Sequence, residues 1–109
     1  MDRLSTLDDF SAFIRNEAAL VYFSSADCGV CQTLKPRVFS ELKREFPRIA
    51  LAEVDCAAAP ELAAQQGVFV APVVAVFFDG SEQLRLARNF SPAALVEALQ
   101  RPYALFFEG

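Results

Sequence analysis

Histidine is absent from the chain, which removes every Cys-His and Ser-His-Asp catalytic arrangement and every histidine-ligated metal site. Tryptophan is absent as well. There is no basic stripe. Net charge is −4, and Lys35, Arg37, Lys43, Arg44 and Arg48 are interleaved with Glu41 and Glu45, the pattern of a solvated helix face, so no nucleic-acid partner is expected. The first residues carry Asp2, Arg3, Asp8 and Asp9 without an apolar run, which does not read as a signal peptide. The longest uncharged stretch, "GVFVAPVVAVFF" from Gly67 to Phe78, is too short for a membrane span and contains Pro72. A reducing, cytoplasmic setting with no membrane partner is the default expectation. There, a close cysteine pair is catalytic or metal-binding sooner than a permanent staple. Repeats, low-complexity tracts and linkers are missing too, so residues 1–109 are expected to form one domain.

What is present is apolar residues, 54% of the chain, with eleven phenylalanines, enough for a packed core. Thr6 is a candidate N-cap, with Asp8 and Asp9 favouring the positive end of a helix dipole, and Leu7, Phe10 and Ile14 recur at helical spacing to about Glu17. A buried strand is expected over Leu20–Ser24. A second helix should start at Gly29 or Val30 and reach about Phe46, with Cys31, Leu34, Val38 and Leu42 on one core-facing stripe and Pro36 inside it. Next come a strand over Ile49–Asp55 and a short helix from Pro60 to about Gln66, with Gly67 beyond its end. "VVAVFF", Val73–Phe78, is the clearest strand. Asp79-Gly80-Ser81 turns it into "EQLRLAR" as an antiparallel hairpin. Ser91-Pro92 opens a last helix running to about Gln100, which Pro102 is expected to end. Residues 101–109 form an apolar tail. "DRLS" is too short to assign. Strand–helix–strand followed by hairpin and helix implies an α/β fold, a mixed sheet with helices on both faces.

The chemistry centres on "SADCGVCQTLKP", Ser25 to Pro36. Cys28 falls at the mouth of the second helix, where unpaired N–H groups and the dipole favour a thiolate. Cys31 lies one turn inside, on the apolar stripe, and should be shielded. An exposed, activated thiol beside a shielded one is what thiol–disulfide exchange needs. Gly29 is expected to let the backbone turn tightly between them. Three blander readings compete. A structural zinc site wants four Cys or His ligands, and only Cys56 remains. Two core cysteines by coincidence would both lie on the buried stripe, and Cys28 does not. A permanent staple closing so small a loop contributes little.

"LVYFSSADCGVCQTLKP" followed by "EVDCAAAPELAAQQGVFVAPVVAVFFDG" resembles the thioredoxin family over about residues 7–100. Cys28, Cys31, Pro36, Asp55, Pro72 and Gly80 stand in the family's register. The resemblance implies the thioredoxin fold and a redox disulfide between Cys28 and Cys31. It also implies a cis bond before Pro72, with Ala71 offering its backbone to a client peptide. Disulfide-containing protein clients, recharging by a reductase or by glutathione, a part in cell redox homeostasis, and no metal or organic cofactor follow from the same likeness.

Several positions depart from the family pattern. Asp27 stands where Trp usually precedes the first cysteine, a charge that opposes thiolate formation. Ser24 replaces another aromatic. Tyr22 stands at the place of a buried acid and Leu51 at that of a nearby lysine. Val30 replaces the proline of the motif, a position that tunes redox potential in such proteins. The pair is therefore expected to be slower, or less reducing, than an ordinary thioredoxin. A different class stays open: a binding or chaperone-like module that keeps the fold and groove with weak or no redox activity. Cys56 reads either as a small buried residue with an inert thiol or as a regulatory one. The tail over 103–107 reads as core cover or as a partner surface.

Overall fold

A computed structural model describes residues 2–108. Five strands form one mixed sheet in the order β1-β3-β2-β4-β5. They are β1 (Asp2–Arg3), β2 (Ala18–Ser24), β3 (Ala50–Asp55), β4 (Val73–Phe78) and β5 (Ser81–Ala87). The helices are α1 (Leu7–Phe13), α2 (Gly29–Glu45), α3 (Pro60–Gln65) and α4 (Pro92–Glu108). β2 pairs parallel to β3 and antiparallel to β4, and β4 pairs antiparallel to β5. The expected α/β architecture is the observed one, and "DRLS" contributes the short edge strand β1, parallel to β3.

Central position explains the composition. Every residue of β2 and of β4 is buried, because helices cover both faces of the sheet. One face carries Val21, Phe23, Val54, Ala75 and Phe77 against Phe10 and Phe13 of α1 and Leu62 of α3. The other carries Leu20, Tyr22, Val74 and Val76 against Leu34, Val38 and Leu42 of α2 and Leu95 and Leu99 of α4. The expected stripe on α2 is the buried one, joined by Phe39.

Local signals fixed most boundaries. Thr6 Oγ1 accepts from the Asp9 N–H at 3.0 Å while the Asp9 carboxylate accepts from the Thr6 N–H at 3.2 Å, a reciprocal cap at the start of α1. That helix ends at Phe13, shorter than the periodicity suggested. The β4–β5 turn places Asp79 and Gly80 at φ 54° and 83°, both left-handed, as a two-residue hairpin with matching twist requires.

Pro102 does not end the last helix. α4 continues through it to Glu108, so the expected tail is helical. The proline forgoes one backbone bond, but the extra turns bring Tyr103 to 4.8 Å from Phe46 and Phe106 to 4.8 Å from Phe78, ring centre to ring centre. The Arg48 guanidinium stacks 4.0 Å above Phe107. Aromatic packing outweighs the lost bond.

Candidate active site

β2 ends at Ser24, and the chain turns through Ser25–Asp27 into α2. Cys28 is the N-cap of that helix, in extended backbone, and its Sγ accepts from the Cys31 N–H at 3.2 Å. This is the position at which a side-chain acceptor satisfies an orphan helix N–H, and a thiolate would be favoured there over a neutral group. Cys28 and Cys31 are joined as a disulfide, their Cα atoms 5.2 Å apart. Their surroundings differ. Cys28 is partly exposed, whereas Cys31 is fully buried on the α2 stripe.

The glycine between them plays a different part from the one expected. Gly29 has no left-handed φ, and a Cβ built there would meet nothing within 4 Å. It is simply the first helical residue of α2. Val30, between the two cysteines in the chain, is 65% exposed.

The sheet register gathers the remaining residues at the same end. Phe23 pairs with Val73, Ser24 with Asp55, and Val73 with Ala87, so the Cys28 turn, Cys56, the Ala71–Pro72 bond and Arg88 all lie at the ends of adjacent strands. The Ala71–Pro72 bond is cis. Beside it, Phe69 and Val70 are exposed large apolar side chains. Asp27 is exposed, and its carboxylate accepts from the Ser25 hydroxyl.

Tyr22 is fully buried, and its hydroxyl donates to the Cys31 carbonyl at 2.8 Å. Burial and the nearby Glu53 charge push its phenol up to about 12, so it stays protonated at neutral pH. Leu51, as expected for an apolar residue, packs on the α2-side core.

The acid that the Tyr22 position lacks stands on the neighbouring strand. Glu53 pairs across the sheet with Tyr22 and is 5% exposed. Its Oε2 accepts from Lys35 Nζ at 3.0 Å and from Ser24 Oγ at 2.9 Å, and its Oε1 accepts from Arg3 at 3.4 Å. Burial pushes this carboxyl up, but the Lys35 and Ser24 hydrogen bonds and the Lys35 and Arg3 charges outweigh that and hold it below the usual range. Glu53 was missed at the sequence level. The available signal was a charged residue inside the apolar strand "ALAEVD", where a strand covered on both faces leaves a charge no solvent.

Cys56 follows β3, and its N–H donates to the Ser24 carbonyl at 2.8 Å. It is half-buried against the α1-side core, and burial together with Asp55 pushes its thiol up. That is the environment of an unreactive thiol.

A family model described as thioredoxin matches residues 3–101. The chain belongs to the thioredoxin family. It is 33% identical over 107 residues to a thioredoxin-like protein of Bacillus subtilis, YdfQ, covering 97% of this chain and 95% of that one. It is 34% identical over 101 residues to a thioredoxin of Chlamydia muridarum, covering 93% and 98% respectively. Among solved structures, the thioredoxin of Fasciola hepatica is similar with a TM-score of 0.81 at 28% identity, over 93% of this chain and 98% of that one. The expected thioredoxin fold is thus the observed one, and a thioredoxin whose Cys28–Cys31 pair closes as a disulfide is a thiol–disulfide oxidoreductase. Among the described residues no helix is long and apolar enough to cross a membrane.

Proposed function

We propose that Cys28 is the nucleophile and Cys31 the resolving thiol of a protein-disulfide reductase. The supporting observation is the unequal burial of the two sulfurs: Cys28 is reachable at the N-cap of α2, and Cys31 is wholly enclosed. In the dithiol form, the Cys28 thiolate attacks one sulfur of a client disulfide, and the other client sulfur leaves and takes up a proton. The Cys31 thiolate then attacks Cys28 within the mixed disulfide. The client's second thiol is released with a proton, and the Cys28–Cys31 bond closes. Two electrons pass to the client, and a reductase or the glutathione pool returns them. The cis Ala71–Pro72 segment serves as the docking wall, its backbone beside the incoming peptide in strand-like contact. Asp27, Val30 and Tyr22 shape the potential and rate of the pair, and Gly29 opens the helix that carries it. Residues 1–109 work as a single unit in a reducing, cytoplasmic setting, contributing to redox homeostasis.

The test is a Cys31→Ser variant exposed to a disulfide-containing protein such as insulin. Mixed disulfides through Cys28 are expected to accumulate and to release on addition of dithiothreitol. If the variant traps nothing while the wild type still captures partners under reducing conditions, the fold serves as a binding module instead.

A further inference from the structure

We infer that Arg88 is a specificity-determining residue of the docking wall, selecting client segments that carry an acidic residue beside the disulfide. Four observations carry this. First, Arg88 is held against the wall: its N–H donates to the Pro72 carbonyl at 2.7 Å, immediately after the cis bond. Second, its backbone is left-handed, φ 60°, a conformation that glycine or asparagine adopts with less strain than a long side chain. The turn alone does not call for arginine. Third, the side chain is exposed, and among the described residues it forms no ion pair. Arg85, three residues earlier, shows the contrast: its guanidinium is committed to Glu82 and to the Gln66 carbonyl. Fourth, the rest of the rim leaves the cation unanswered. Val30, Phe69 and Val70 are apolar, and the Asp27 and Asp55 carboxylates accept hydrogen bonds from their own turns.

A free guanidinium two strands from the Cys28 turn puts an unpaired positive charge at one edge of the rim, away from the Asp27 and Asp55 carboxylates on the other side of β4, in a chain of net charge −4. The start of β4, where Ala71–Pro72 stands, lies between the end of β2 that leads to the Cys28 turn and the end of β5 that leads to Arg88. This inference rests on that docking reading. An Asp or Glu within a few residues of the attacked cysteine then meets a partner able to bind it in two-pronged fashion, whereas a Lys there meets a like charge.

Three cyclic disulfide peptides differing only in Glu, Gln or Lys beside one cysteine test this. Each rate of reduction by the reduced protein is divided by the rate of the same peptide with dithiothreitol, which cancels the peptide's intrinsic reactivity. Wild type is expected to favour Glu over Lys roughly fivefold at low ionic strength, the ratio falling towards one in about 0.5 M salt. Arg88→Gln should bring the ratio to about one, Arg88→Lys should keep the preference, and Arg88→Glu should invert it. Equal rates in the wild type, or a preference that survives Arg88→Gln, would overturn the inference while leaving disulfide reduction intact. A wild type that reduces none of the peptides overturns the docking reading as well.

Discussion

Lys35 Nζ lies 3.0 Å from Glu53 Oε2, tying α2 one turn beyond Cys31 to a buried carboxylate on the adjoining strand. Ser24 Oγ reaches the same oxygen, and Arg3 approaches the other. A charge this enclosed is tolerated only while its partners stay in place. The network therefore couples the seating of the redox helix to the protonation of Glu53.

Lys35→Met should destabilise the protein by about 2–3 kcal/mol, less than a fully buried pair would lose, because Lys35 is partly exposed and Ser24 and Arg3 still reach the buried carboxylate. The double variant Lys35→Met/Glu53→Leu should recover most of that loss, which equilibrium denaturation will read directly. Because the folded-state carboxyl of Glu53 is held below its unfolded value, the unfolded chain binds more protons in acid. The stabilising share is thus present above the unfolded value of about 4.3 and is lost as pH falls through the folded one. Glu53→Gln should flatten the acid limb of the stability profile below about pH 4.5 relative to wild type. An identical limb would remove Glu53 from that account.

Tyr22 donates to the Cys31 carbonyl but holds its proton to about pH 12, so it carries structure and no charge in the neutral range. Tyr22→Phe should cost about 1 kcal/mol, the worth of one buried hydrogen bond. The shape of its pH–rate profile between pH 6 and 9 should match the wild type. A displaced profile would mean that the phenol takes part in proton transfer.

Asp27 is a fixed negative charge one residue before Cys28, and Ser25 holds its carboxylate. Asp27→Asn should speed iodoacetamide capture of Cys28 at pH 7 roughly twofold, in line with removing one exposed like charge. The gain should shrink in high salt. A slower reaction in the variant would show that the carboxylate helps the thiol instead.

The last turns of α4 lay aromatic rings over the buried Phe46 and Phe78 and seat Phe107 under Arg48. Ending the chain at Gln100 should lower stability by about 3 kcal/mol or more, from the apolar area re-exposed on Phe46 and Phe78. A truncated chain of unchanged midpoint would mark the segment as a surface for something other than its own core.

By itself the sequence determined the elements other than β1 and the last turns of α4, and the asymmetry of the cysteine pair. Thr6 with Asp9, Asp79-Gly80, and the stripe from Cys31 to Leu42 are signals that act within a few residues, so neighbouring residue types suffice to read them. Only the tertiary structure decided what surrounds the pair. Glu53 meets Lys35 across 18 positions and Arg3 across 50, because strand register and helix crossing bring them to one spot. The length of α4 was settled the same way. Pro102 is a stop signal locally, and it is overridden by rings at Phe46 and Phe78 that lie far away in the chain. Charges and rings act through space, and their neighbours in space are assigned by the fold.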